Sequence, residues 1–109
     1  MSRAKGDVAE DKAAEFLLSS GFAIVERNFY SRFGEIDIIA LKDEVLHFIE
    51  VKSGIDYESA IENITPQKLS RLIKTAYVYI KKNSLDVDFV FDGVVVTPKS
   101  IELIENITL

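Results

Sequence analysis

Cysteine is absent from the sequence, and histidine occurs once, as His47. The lack of cysteine excludes disulfides, thiolate metal sites and cysteine nucleophiles, and one histidine cannot build a multi-histidine zinc site. No apolar run approaches the roughly 20 residues that a membrane-spanning helix needs, and the first residues lack the apolar segment of a secretory signal. We therefore expect a cytoplasmic protein without a membrane partner, in which oxygen atoms bind any metal.

Net positive charge is also lacking, because the formal net charge is -5. This balance argues against a protein that coats nucleic acid by its overall charge, although a local basic surface is compatible with it. The length of 109 residues suits one hydrophobic core, so we expect a single domain over residues 1–109.

Hydrophobic periodicity predicts the element order α-β-β-β-α-β, with a further β-strand at the end. Gly21 is a plausible C′ residue after the first helix, and Thr65 with Pro66 forms an N-cap and first helical position. The three consecutive strands favour an antiparallel meander. The predicted segments are a helix over 6–20, strands over 22–29, 35–41 and 45–51, a second long helix from Thr65-Pro66, a strand over 87–96 and an edge strand over 101–107.

Three acidic residues interrupt apolar patterns. Helical spacing places Glu10 on the inward stripe of the first helix, while Asp37 and Glu50 lie between apolar neighbours inside predicted strands. An ionised carboxylate in a dry environment costs several kcal/mol unless a cation or hydrogen-bond donors compensate it. We therefore expect each carboxylate to have a lysine or a metal ion as its partner.

The length of the turn after the second strand decides whether these groups meet. A two-residue turn would set Asp37 opposite Glu50 and Glu35 opposite Lys52, whereas a three-residue turn would send Glu50 to the other face. Converging carboxylates repel one another unless a divalent ion lies among them, and hard oxygen ligands favour Mg²⁺ or Mn²⁺. Lys52 would then orient an attacking water or neutralise charge on a phosphate, as in phosphodiester cleavage.

The same residues form an ordered set of motifs that extends along most of the chain. This set resembles the YraN-type uncharacterised protein family, whose fold is similar to the PD-(D/E)XK restriction endonucleases and the archaeal Holliday junction resolvases. The resemblance implies an α/β (α+β) restriction endonuclease-like fold with a central mixed sheet flanked by helices. The motifs are Gly6-x-x-x-Glu10, Asn28, Gly34-Glu35-Ile36-Asp37, Phe48-x-Glu50-Val51-Lys52, Lys68, Ala76, Tyr79 and Phe91-Asp92.

The resemblance also implies roles for individual residues. Glu10, Asp37 and Glu50 would bind Mg²⁺ (or Mn²⁺), and Lys52 would be the catalytic lysine. Glu35 would assist, and Gln67 or Lys68 would be an accessory polar residue. Two departures weaken the expected substrate contacts: Ser53-Gly54 follows Lys52 where family members commonly carry a basic residue, and Val90 replaces a basic residue before Phe91-Asp92.

Positive charge is concentrated on one side of the second long helix, opposite its apolar side. We predict that Lys68, Arg71 and Lys74 contact nucleic acid, together with Arg32 from the turn before Glu35. The alternative is an ordinary solvated surface. The further basic residues in these regions are Lys81 and Lys82 on the helix and Arg3, Lys5 and Arg27 near the first helix.

These features predict a magnesium-dependent endonuclease that binds and cleaves structured DNA, such as junctions or flaps, by means of a metal-activated water. The alternative function is a catalytically inactive module of the same fold that binds nucleic acid or protein. Simpler interpretations of the residues are an ion pair for Glu10, a solvent-exposed sheet face for Asp37 and Glu50, and a counter-ion role for Lys52. The final edge strand could also pair two copies as a homodimer.

Overall fold

The computed structural model describes residues 5–108 and contains the predicted order of elements, with one short helix in addition. No helix in this part of the chain is both long and apolar enough to cross a bilayer. The elements are α1 (Lys5–Ser19), β1 (Ala23–Ser31), β2 (Gly34–Lys42), β3 (Val45–Ser53), α2 (Tyr57–Ile61), α3 (Pro66–Lys82), β4 (Asp88–Val96) and β5 (Ile101–Ile104).

The strands form one five-stranded mixed sheet in the order β1-β2-β3-β4-β5. The predicted meander is confirmed, since β1, β2 and β3 are antiparallel neighbours. Strand β4 runs parallel to β3, and a parallel neighbour requires a crossover connection, which α2 and α3 supply. The expected mixed sheet flanked by helices is therefore confirmed.

A helix covers each face of the sheet. On one face, small residues of α1 (Ala9, Ala13 and Ala14) pack with Leu17 against a cluster that includes Ile38, Ile49 and Val94. On the other face, Leu72, Ala76 and Tyr79 of α3 pack against a cluster rich in aromatic residues, which includes Phe29, Phe48 and Phe91. Both faces of β2 and β3 are consequently shielded from solvent.

The predicted helix boundaries have the expected caps. Gly21 adopts a φ of 91°, and the N–H groups of Gly21 and Phe22 donate to the carbonyls of Leu18 and Leu17, which is the Schellman pattern. At the start of α3, the Thr65 hydroxyl accepts a hydrogen bond from the N–H of Lys68 at 3.2 Å.

The turn between β2 and β3 has the even length that the site requires. Lys42 pairs with Val45, so Asp43 and Glu44 alone form the loop, and both adopt positive φ, 52° and 66°. These angles match the type I′ turns that close two-residue hairpins. The two-residue connection predicted from the sequence is confirmed.

The last strand is shorter than predicted, because β5 ends at Ile104 and not at residue 107. After it, Asn106 takes a φ of 57° and its N–H donates to Asp92 Oδ1 at 2.8 Å. The N–H of Ile107 then donates to the carbonyl of Phe91 at 2.8 Å. These bonds hold the segment after β5 beside β4 but outside the regular ladder, which ends at the pair of Gly93 and Ile104.

Candidate functional site

The site lies where β2 and β3 separate. Their pairing runs from Lys42 with Val45 to Ile38 with Ile49, and the same register sets Asp37 opposite Glu50. There a side-chain oxygen takes the place of a backbone carbonyl between the strands: Asp37 Oδ2 accepts a hydrogen bond from the N–H of Val51 at 2.8 Å.

Strand alternation is interrupted at the same residue. Ile36 packs in the cluster under α3, whereas Ile38 packs in the cluster under α1, although residues two apart in a regular strand share a face. The irregularity therefore centres on Asp37 and turns its carboxylate into the gap between the strands.

Three carboxylates from two elements converge at this gap. Glu10 of α1 and Glu35 and Asp37 of β2 each place one oxygen within 4.8 Å of the oxygens of the other two. Asp37 is buried, with 8% of its surface exposed, and Glu10 and Glu35 are half-buried. Glu35, to which the resemblance gave only an assisting role, is thus a full member of the cluster.

Burial and the neighbouring carboxylates together govern the electrostatics at Asp37. Burial raises the pKa of Asp37 to about 8, and the charge of Glu50, a hydrogen bond with Glu35 and the charge of Glu10 act in the same direction. The hydrogen bond from Val51 opposes them by lowering this pKa. Oxygen ligands alone, with excess negative charge, match what Mg²⁺ and Mn²⁺ require, so the donor set fits the expected metal.

The hydroxyl of Tyr30 adjoins the cluster from the neighbouring strand. Tyr30 is the cross-strand partner of Glu35, and a hydrogen bond with Glu35, followed by the charge of that carboxylate, raises the pKa of the Tyr30 hydroxyl. Tyr30 lies outside the motifs from which the site was predicted. The register of the β1–β2 hairpin was the signal that could have identified it.

Glu50 and Lys52 form an ion pair beside this group. Glu50 Oε1 lies 2.9 Å from Lys52 Nζ, and both side chains are mostly buried. This ion pair agrees with the simpler interpretation of Lys52, in which the lysine is the counter-ion of Glu50. Glu50 remains the principal charged neighbour of Asp37, so the pair lies next to the cluster, and its part in binding a metal stays a prediction.

Glu10 is held by two consecutive residues of β1. Asn28 Nδ2 donates to Glu10 Oε1 at 2.8 Å, and Arg27 Nη2 lies 3.9 Å from the same oxygen. Arg27 makes its closer ion pair with Asp11, at 2.8 Å. The ion-pair interpretation of Glu10 is therefore correct in part, since the shorter contact is a hydrogen bond from an uncharged amide donor.

The exposed-face interpretation of Asp37 and Glu50 is wrong. Helices α1 and α3 cover the two faces of the sheet, and Asp37 lies among the buried residues. The sequence could not distinguish a covered sheet from a half-exposed one, because both allow polar residues between apolar ones.

Basic residues gather where the β1–β2 hairpin meets α3. The Ser31 hydroxyl is hydrogen-bonded to Thr75 at 2.8 Å, and a Cβ at Gly34 would lie 3.4 Å from Arg71 Cβ. The charged groups of Arg32 and Lys74 lie 4.8 Å and 5.8 Å from the centre of the Phe33 ring. Arg32, Arg71 and Lys74 thus share one exposed surface, which begins directly before Glu35.

The other predicted polar residues, Gln67 and Lys68, lie at the start of α3. Gln67 is exposed and Lys68 half-buried in the first turn of α3, and within residues 5–108 no hydrogen bond or ion pair joins either side chain to the acidic cluster. Arg3 and the side chain of Lys5 lie outside the described residues.

His47 contacts a buried aspartate that lies outside the acidic cluster. Its Nδ1 lies 2.5 Å from Asp92 Oδ2, and its ring packs edge-on against Phe22. Asp92 is almost fully buried, and its other oxygen accepts the N–H of Asn106. This pair joins β3, β4 and the segment after β5 beside a cavity of about 440 Å³. It could not be predicted from the sequence because the partners are 45 residues apart.

The family model described as "Uncharacterised protein family UPF0102" matches residues 9–96, which include every residue of the acidic cluster and of the Glu50–Lys52 pair. The chain belongs to the UPF0102 family. It is 65% identical over 109 residues to a UPF0102 protein of Sulfurimonas denitrificans, with both chains covered completely. UPF0102 proteins of Aliarcobacter butzleri and Wolinella succinogenes are each 54% identical to it, again over the whole of both chains. The expected membership of the YraN-type family is therefore confirmed.

Proposed function

We propose that this UPF0102 protein is a magnesium-dependent endonuclease that hydrolyses phosphodiester bonds in structured DNA. The observation that carries the proposal is the convergence of carboxylate oxygens from Glu10, Glu35 and Asp37 at the gap between β2 and β3. A salt-bridged lysine lies next to them, and this combination suits metal-assisted hydrolysis of a phosphodiester.

The acidic residues have the role of binding the cation. Glu10, Asp37 and Glu35 would hold Mg²⁺ or Mn²⁺, with Glu50 as a further ligand once its carboxylate turns from Lys52. A bound divalent cation lowers the pKa of a water and offsets charge on a phosphate. Releasing the proton of Asp37 is part of the binding, because the metal replaces that proton among the same oxygens.

Lys52 acts on the substrate side of the site. Its ammonium is held 2.9 Å from Glu50 by a side chain that is mostly buried, where a charge acts more strongly on a phosphate than in water. It would orient the attacking water or neutralise charge as the phosphodiester bond breaks.

The basic surface would hold the DNA backbone. The surface combines Arg32 of the β1–β2 turn with Arg71 and Lys74 of the part of α3 that lies against this turn. Because the turn leads directly into Glu35, a DNA strand bound to this surface would pass close to the carboxylates. Contacts to phosphates position a duplex without selecting its sequence. This agrees with recognition of DNA shape, such as a junction or a flap. A cytoplasmic location, where Mg²⁺ and DNA are both present, belongs to the proposal.

The decisive experiment measures metal-dependent cleavage of junction, flap and single-stranded DNA by the wild type, Asp37→Asn and Lys52→Met, with Glu102→Gln as a control for an exposed acidic residue on β5. We expect cleavage by the wild type and the control, and none by Asp37→Asn. DNA binding without cleavage under any metal condition would contradict the enzyme and favour the second candidate, an inactive DNA-binding module, which the basic surface alone supports.

A homodimer formed through the edge of β5 stays a prediction. Strand β5 offers only Ile101–Ile104 for pairing with a second copy. Light scattering tests it, and a monomer at high protein concentration contradicts it.

A further inference from the structure

Glu10 has to be held in place if it is to act as a metal ligand, because a glutamate on a helix surface samples several rotamers. Its Oε1 accepts the hydrogen bond from Asn28 Nδ2 at 2.8 Å. This hydrogen bond restricts the Glu10 carboxylate to an orientation in which one of its oxygens lies within 4.8 Å of oxygens of Glu35 and Asp37.

The backbone of Asn28 is itself unusual. Its φ is 56°, in the left-handed region, where asparagine and glycine are tolerated best. Arg27 and Asn28 both contact α1, which consecutive residues of a regular strand do not do. The positive φ is what brings both side chains to the helix.

This irregularity lies across from the one in β2. Arg27 pairs with Ile38 and Phe29 pairs with Ile36, so Asn28 faces Asp37. The departures from regular strand geometry in β1 and β2 are therefore side by side, and between them they bring Asp37 and the residue that holds Glu10 to the same point. Unfavourable backbone conformations persist where the surrounding structure requires them, and they cluster at functional sites.

We propose that Asn28 is a positioning residue of the metal site, which acts by fixing the carboxylate of Glu10. This inference rests on the proposed function. Asparagine combines the two requirements, whereas glycine would accept the positive φ without offering a donor and aspartate would accept it but would repel Glu10. Outer hydrogen-bond partners of this kind typically change metal affinity by about 10- to 100-fold.

The test compares Asn28→Gly with Asn106→Gly by measuring the dissociation constant for Mn²⁺ by electron paramagnetic resonance. Asn106 is a matched control, because it is an exposed asparagine with a φ of 57° in another part of the fold. Glycine keeps both backbones in their native conformation. We expect Asn28→Gly to weaken Mn²⁺ binding by about 10- to 100-fold and Asn106→Gly to leave it unchanged.

A double-mutant cycle separates positioning from general stability. In a Glu10→Gln background, where the ligand is already lost, Asn28→Gly should change Mn²⁺ affinity by less than about twofold. Equal effects of Asn28→Gly in both backgrounds, or no effect in the wild type, would overturn the positioning role while leaving the metal site intact. A wild type that binds no Mn²⁺ would overturn both the positioning role and the proposed function.

Discussion

Replacing Asp37 with asparagine should stabilise the metal-free protein at neutral pH while removing a proposed metal ligand. The amide oxygen can still accept the hydrogen bond from Val51, and an amide is neutral beside Glu10, Glu35 and Glu50 without having to keep a proton. The wild type, in contrast, must keep Asp37 protonated at a pH where the unfolded chain releases that proton, which costs stability.

The raised pKa of Asp37 determines how much the unfolding free energy changes with pH. The pKa of Asp37 rises from its ordinary value of 3.8 to about 8 in the fold, so the folded state holds an extra proton between these values. The stabilising contribution of the protonated Asp37 is complete below a pH of 3.8. It decreases as the pH rises between the two pKa values and is lost above about 8. At about 1.4 kcal/mol per pH unit, this residue should cost the wild type about 2–3 kcal/mol of unfolding free energy between roughly pH 5 and pH 7.

Urea unfolding in the presence of EDTA measures this difference. The unfolding free energy of Asp37→Asn minus that of the wild type should grow by about 2–3 kcal/mol over that pH range. Asp88→Asn, which replaces an exposed aspartate at the start of β4, should show no such growth. A difference that stays constant with pH would refute the assignment of Asp37 as a carboxylate that is neutral in the metal-free protein.

The remaining predictions concern the metal, the lysine and the basic surface. Binding of Mn²⁺ at neutral pH should release about one proton from Asp37, so the calorimetric binding enthalpy should vary with the ionisation enthalpy of the buffer; identical enthalpies in all buffers would contradict this. Lys52→Met should lower the cleavage rate by about 10²- to 10³-fold, with DNA affinity unchanged and Lys99→Met as the control. Arg71→Ala and Lys74→Ala should weaken DNA binding equally for all sequences. Each should also reduce the slope of log affinity against log salt by about 0.9, as measured by fluorescence anisotropy, and unaltered slopes would exclude phosphate contacts.

The register of the central hairpin could be predicted from the sequence because it depends on one local feature. Asp43 and Glu44 separate two strand patterns, and a loop of even length is enough to set Asp37 opposite Glu50. The caps at Gly21 and Thr65 were predictable for the same reason, since each depends on neighbours within a few residues.

Side-chain directions at the site could not be predicted in this way. The composition of the cluster depends on Glu50 turning to Lys52 and on Asp37 accepting a bond from Val51, which interrupts the alternation of β2. Both are choices among rotamers and backbone angles that tertiary packing decides. The short helix α2 was missed, although Asp56 caps it by accepting the N–H of Ser59, a local signal that the sequence contains.

The alanines of α1 have a consequence for tolerance to substitution. Ala13 is fully buried, and with Ala9 and Ala14 it lets the helix axis lie close to the sheet, which brings Glu10 within reach of β2. A larger residue at position 13 would lift α1 from the sheet and widen the spacing of oxygens on which the proposed chemistry depends. Three alanines that carry no reactive group therefore set the distance between α1 and the sheet, and with it the spacing of the carboxylate oxygens.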